Sequence, residues 1–158
     1  MPQGSRKNWI ACFAVVLGAI TACATGTPYA QVAAGLPPPP AGQGRIMLYM
    51  TSASAQLHLF PTMTVDAVPV GTLRPGTFLY LDRPAGLHPI GVAQQQASVI
   101  SAQIVTEPVT IEVFPGATSY VSASAVAIVA ATQVILRSEA PDAAVRDLSD
   151  LSWVPPAE

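Results

Sequence analysis

The sequence predicts a mainly β fold, an antiparallel β-sandwich of about seven or eight strands with a short C-terminal helix, preceded by a signal peptide and a Pro-rich tether. Three observations carry this reading. From Arg45 onward, apolar and polar residues alternate in short segments, the two-residue period of half-buried strands. The 16 Pro and 11 Gly fall mainly between those segments, where a missing backbone donor costs least. The segments themselves are rich in β-branched residues, which fit a pleated surface. A length of 158 residues suits one domain rather than two, and 51% hydrophobic with only 10% charged residues excludes a charge-rich disordered chain.

Residues 1–22 read as an address. Arg6 and Lys7 precede an uncharged apolar run, residues 9–20, about as long as a signal-peptide core and shorter than the roughly 20 residues a membrane-spanning helix needs. The run closes on Ile20-Thr21-Ala22-Cys23, which resembles the lipobox of bacterial lipoproteins. In such proteins a diacylglycerol is transferred to the thiol, and a peptidase then cuts before the modified cysteine, so the resemblance makes Cys23 the lipid-bearing residue. An ordinary secretory signal cleaved after an A-x-A-like site also fits Ala22. Cys12 lies inside the apolar run and would leave with it, so the mature chain keeps one thiol and no disulfide partner. Acylation removes a thiol that would be a liability in an oxidising compartment. Each buried methylene contributes about 0.8 kcal/mol, so two or three acyl chains hold firmly where one does not.

After cleavage five arginines face nine acids, a net charge of −4 with no lysine. Nucleic acid and anionic lipid, which are recognised by clustered Lys and Arg, are therefore poor partners. The expected attachment to the membrane is the covalent lipid.

Residues 23–43 form the expected tether. They carry no charge and include Gly26, Gly35, the run Pro37-Pro38-Pro39-Pro40 and Gly42, a composition that favours extended polyproline II at about 3.1 Å per residue and a semi-rigid spacer. A proline-rich ligand for a partner groove is the alternative. The sandwich is expected over residues 44–152, with residues 153–158 as a tail.

Within the sandwich, residues 45–50 place Ile46, Leu48 and Met50 on one face. A second strand is expected to begin at residues 57–60 and to continue past Pro61 through Met63, Val65 and Val68. Residues 77–81, 88–92 and 97–105 follow. Residues 108–114 alternate with Val109, Ile111 and Val113 inward and Thr110 and Glu112 outward. After Pro115-Gly116 come residues 118–124, then a final strand around residues 132–137. Residues 123–131 combine small residues with Val126, Ile128 and Val129; strand and short buried helix both fit, and strand is preferred. Residues 138–142 read as a helix start, with Pro141 in the first turn and acids at the positive end of the helix dipole. Ala144, Val145, Leu148 and Leu151 then recur at helical spacing, and Pro155-Pro156 ends the element.

Four stretches in order resemble a family of bacterial envelope lipoproteins catalogued as domain of unknown function 2846. They are the Pro-rich opening from Leu36 to Ile46, Val65-Asp66-Ala67-Val68-Pro69-Val70-Gly71-Thr72-Leu73, the corner Pro84-Ala85-Gly86-Leu87-His88, and the strand entry Gly116-Ala117-Thr118-Ser119-Tyr120-Val121. The middle stretch is also similar to the PEGA type of surface sandwich, which implies a transthyretin-like or carboxypeptidase-regulatory fold. Two positions depart from the pattern. Ala67 stands where the family turn has Gly, so that turn must change type or be strained. Ala85 interrupts the usual Pro-Gly, and Gly86 supplies the permissive position one residue later. The resemblance carries over no catalytic residue.

The residues themselves offer little chemistry. His58 reads as a strand-surface residue and His88 as a turn-stabilising one. No spacing suits a metal, since the only thiol left is the lipid site. Asp66 and Asp82 are conceivable paired carboxylates, yet each adjoins a predicted turn, where Asp commonly bonds locally. Tyr49, Tyr80 and Tyr120 read as core or sheet-face residues. No nucleophile elbow, phosphate loop or dinucleotide fingerprint occurs.

The expectation is therefore a noncatalytic lipoprotein with no cofactor or metal. Cys23 is its lipidation site, and its partners are the membrane and another envelope protein. Ala24 rather than Asp after the cysteine is compatible with the outer membrane, facing the periplasm. A periplasmic small-ligand or glycan-binding module is the alternative. An exposed apolar patch or free strand edge would favour a protein partner, a concave pocket with converging polar groups a ligand.

Overall fold

The computed structural model describes residues 26–57, 59–93, 103–129 and 131–157. Cys23, His58 and the first part of the strand expected at residues 97–105 lie outside the described residues. In chain order the elements are α1 (Tyr29–Gly35), β1 (Gln43–Met50), a 3₁₀ segment (Ser52–Leu57), β2 (Thr62–Val65), β3 (Val68–Thr72), β4 (Thr77–Pro84), β5 (Gly86–Val92), β6 (Gln103–Thr106), β7 (Val109–Val113), β8 (Thr118–Ile128), β9 (Ala131–Glu139), α2 (Pro141–Leu148) and β10 (Ser152–Trp153).

The strands form two sheets, one of order β10-β4-β1-β8-β9-β6 and one of order β3-β2-β5-β7. The fold is the mainly β sandwich that the alternation predicts, with α2 as its short C-terminal helix. Most neighbours are antiparallel, but β1–β8, β4–β10 and β6–β9 are parallel. Parallel neighbours need long connections, and the chain between β1 and β8 builds the whole second sheet on its way.

Ile46, Leu48 and Met50 face the second sheet as expected, where they join Met63, Val65, Val70, Ile90, Ile111, Val113, Val121 and Val134 in one buried core. The opposite face of β1 is buried too. Met47 and Tyr49 lie with Phe78 beneath Ala144, Leu148 and Leu151. β1 is thus covered on both sides, which explains why residues 46–50 carry no charge at all.

The second core departs from the expected tether. Residues 28–36 are not an extended spacer. Tyr29, Val32 and Leu36 lie on one side of α1 and pack on the second core, and Tyr29 meets Phe78 edge to face with centroids 5.5 Å apart. The backbone is fixed as well: Tyr29 N–H donates to Leu151 O at 3.0 Å, Trp153 N–H donates to Thr27 O at 2.8 Å, and Pro28 pairs with Ser152.

Other expectations are corrected locally. Of the single strand expected from residues 57–60 through Val68, Leu57 closes the 3₁₀ segment, residues 59–61 belong to no strand, and Thr62 onward forms a hairpin, β2–β3, turning at Asp66 and Ala67. Residues 123–128 are strand, as preferred, but the chain turns at Val129 and β9 starts at Ala131. Ala144, Leu148 and Leu151 are buried, whereas Val145 is 42% exposed and lies off the stripe. The helix stops at Leu148, well before Pro155-Pro156, and the chain adds β10 to the sheet edge. Farther on, Ala157 N–H donates to Val70 O at 2.8 Å, so the tail is stitched to β3.

The β2–β3 turn keeps a hairpin φ pattern despite Ala67. Asp66 and Ala67 have φ of 54° and 63°, both positive as in a type I′ turn. A left-handed conformation costs an L-residue about 1–2 kcal/mol, part of which glycine's extra unfolded-state freedom offsets. Ala67→Gly is therefore expected to raise stability by about 0.5–1 kcal/mol, read as a higher thermal midpoint; a lower one would show that the turn is not strained.

Candidate functional site

Among the described residues, three polar pairs and two exposed apolar clusters stand out for their functional potential. His88 sits on β5 with its side chain turned toward the core, and the register opposite Ile111 fixes it there. Its Nδ1 lies 2.8 Å from Asp66 Oδ2 and its Nε2 lies 2.8 Å from Pro84 O. Both partners are acceptors, so both contacts are hydrogen bonds only when the ring is the doubly protonated imidazolium. Burial lowers the His88 pKa, but the Asp66 hydrogen bond, the Pro84 carbonyl and the Asp66 charge together outweigh it, and the net shift is upward from 6.5. His88 thus locks the β2–β3 turn to the β4–β5 corner, the turn-stabilising role read from the sequence.

A histidine whose folded pKa is raised contributes stability that is fully present below pH 6.5 and is lost as pH rises through the folded value. Because the Asp66 side chain is 41% exposed, solvent screens the pair, and the loss is expected to stay within about 1 kcal/mol. Unfolding midpoints at about pH 5.5 and about pH 8.5 should differ less in His88→Gln than in the parent. Equal differences would remove the imidazolium from the account.

Arg45 and Asp82 form the second pair, directly opposite one another on β1 and β4. Arg45 Nε and Nη2 donate to Asp82 Oδ1 and Oδ2 at 2.8 and 3.0 Å, and the guanidinium lies 5.0 Å from the centroid of Tyr80, which in turn leans on Trp153. The third pair joins sheet to helix: Tyr49 O–H donates to Asp147 Oδ2 at 3.1 Å. Burial, with that carboxylate, pushes the Tyr49 phenol well above its usual pKa, and burial also raises Tyr120. Tyr49 lies in the second core and Tyr80 and Tyr120 pack against it, so the three tyrosines are packing residues.

The structure does not bring Asp66 and Asp82 together. One belongs to the four-stranded sheet and is held by His88; the other belongs to the six-stranded sheet and is held by Arg45. No group of three or more His, Cys, Asp or Glu suited to a metal occurs among the described residues, and no helix among them is long and apolar enough to cross a membrane.

The apolar clusters lie at opposite ends of the molecule. On the outward face of the four-stranded sheet, Leu87 is 70% and Phe114 is 54% exposed, flanking Glu112. Phe114 lies at the Gly44 end of β1, where a Cβ on Gly44 would strike its carbonyl. At the other end, β8 pairs with β1 only as far as Ala123 opposite Met50. The β8–β9 hairpin runs on beyond it, carrying Val126 and Ile128 half exposed and Val129 at 98%. The sequence reading makes the docked segment part of a semi-rigid spacer and gives this hairpin end no role. The signals were present: Tyr29, Val32 and Leu36 have helical spacing, and residues 123–136 contain no charge.

Comparison with protein-family models, with curated proteins and with solved structures finds no match.

Proposed function

We propose that this chain is a noncatalytic lipoprotein of a bacterial envelope. Acyl chains on Cys23 hold it in the periplasmic leaflet of the outer membrane, and its sandwich works by contact with another envelope protein. The observation that carries the contact role is the pair Leu87 and Phe114, large apolar side chains left exposed on a sheet face that no described element covers. Side chains of that size cost free energy in water and gain it at an interface. The anchor rests on Ile20-Thr21-Ala22-Cys23 behind its apolar run and on the lysine-free mature chain, which leaves lipid as the means of attachment. The polar side chains support a structural role, since His88, Asp66, Arg45 and Asp82 are occupied by one another. The reading accords with the resemblance to envelope lipoproteins.

Two measurements test it. Cys23→Ala should abolish acylation and release the protein from membranes in a carbonate wash; continued retention rejects the anchor. A photo-crosslinking residue at Leu87 in intact cells should yield one discrete product that Phe114→Asp suppresses and that the same residue at exposed Glu107 does not give. Identical products from both positions reject the contact face.

A further inference from the structure

We infer that the prolines at 37–40 are a preorganised strap that the partner protein takes up in an uncharged, aromatic-lined groove. The inference deepens the contact role proposed above and rests on it. Proline fixes φ at about −65°, and a residue that precedes a proline is driven to extended ψ. Leu36, Pro37, Pro38 and Pro39 all precede a proline, and Leu36 shows the result with φ −69° and ψ 120°. The segment is thereby set as polyproline II, which has about three residues per turn and no internal hydrogen bonds. Burial follows that period. Leu36 and Pro39, three positions apart, are half-buried, whereas Pro37, Pro38 and Pro40 are exposed. Pro37 and Pro40 therefore share one outward edge and Pro38 lies on the other, the two-edged proline surface that aromatic-lined grooves read.

Both ends of the strap are fixed. Before it, Leu36 packs on the second core; after it, Gln43 N–H donates to Pro40 O at 2.9 Å across a turn in which Gly42 has φ of 77°. A polyproline II segment pinned in this way loses little further freedom on binding, so its apolar contact is not offset by the cost of ordering it. Position links the strap to the proposed contact face. Gly42 O accepts from Ala85 N–H at 3.0 Å and Gln43 O from Gly116 N–H at 2.8 Å, and these donors stand two residues before Leu87 and two residues after Phe114. The prolines thus lead into the end of the body that carries those exposed side chains, and one partner covers both. Charge sets the chemistry of that partner. Residues 24–44 contain no charged side chain. Arg45, the next in sequence, is bonded to the Asp82 carboxylate, and Arg83, opposite Gly44, donates to Asp82 O. These cations are engaged within the body, so an acidic rim on the partner gains little, and Trp and Tyr rings are left as the groups that read the prolines.

The test is made in intact cells with the full chain. A photo-crosslinking residue at Pro38 should give one discrete protein adduct, and peptide mapping should place the attachment beside Trp or Tyr in the partner. Pro37→Ala with Pro40→Ala should cut the yield about tenfold, while Pro39→Ala, on the inward edge, changes it less than about twofold. Unchanged thermal midpoints check that these variants stay folded. No adduct at Pro38, with Leu87 still crosslinking, overturns the inference and leaves the contact role standing. Attachment to a second copy of this chain, or to a segment without aromatic residues, overturns it too. So does a yield that the paired alanines leave unchanged or that Pro39→Ala lowers equally. Absence of adducts at both Pro38 and Leu87 overturns the contact role and the inference together.

Discussion

Replacing Leu148 with alanine should lower stability by about 2–5 kcal/mol, the range for a leucine deleted from a packed core. Leu148 is fully buried and shares its cluster with Met47, Tyr49, Phe78, Ala144 and Leu151. The loss has two parts, the transfer of the removed methyl groups and the cavity they leave, and the strands below are too constrained by their ladders to collapse into it. A third consequence follows from length. The helix α2 has eight residues, too few to persist without packing, and the backbone just beyond it accepts the Tyr29 N–H that docks α1. Loosening Leu148 should therefore release α1 as well, seen as faster hydrogen exchange at Tyr29. The urea midpoint should fall with little change in slope. Val145→Ala, one turn away but 42% exposed, should change stability by about 0.5 kcal/mol or less. A Leu148→Ala loss no larger than that would mean the helix is not seated as described.

What could be read in advance follows from the range of the interactions involved. β7 is written in a two-residue alternation and β1 and β4 in short apolar runs bounded by turn residues, signals that need no knowledge of neighbours, and α2 carries its start signal in Pro141 and Asp142. The alternation alone runs one strand through the β2–β3 hairpin, because Ala67 lacks the glycine signal, and only the family resemblance puts a turn there. Its positive φ is imposed from a distance, by Asp66 N–H donating to Pro89 O and by the Asp66 carboxylate bonding His88, 22 positions away. α1 was hidden by the four prolines that follow it, although Tyr29, Val32 and Leu36 have the spacing of a buried stripe. β10 is two residues long and exists only because the β4 edge is there to receive it. For the candidate site, the proposal of Cys23 rests on sequence alone, the turn role of His88 shows in sequence and structure alike, and the exposed hairpin end shows only once β8 is seen to outrun β1.

The same dependence on a partner governs Asp82→Asn, for which a loss of about 3 kcal/mol is expected, the lower part of the range for breaking a buried ion pair. The Arg45 side chain is 6% exposed and the Asp82 side chain 23%, so the substitution strands a charge that water barely reaches, while some solvent can enter from the Asp82 side. The asparagine keeps the shape but offers one acceptor oxygen in place of two, and the second guanidinium bond to Asp82 is lost. Tyr80 does not rescue the cation, because a ring face 5.0 Å away contributes about 1–2 kcal/mol at best. Removing both charges is a different matter. Arg45→Met with Asp82→Leu replaces a desolvated pair by apolar contact across the β1–β4 register and should recover most of the loss, since such swaps are often neutral. The cost thus belongs to the unpaired guanidinium rather than to the pair. A double-mutant cycle reads the difference directly: if the double variant is as unstable as the sum of the single ones, Arg45 and Asp82 are not coupled, and the buried bidentate contact does not hold β1 to β4.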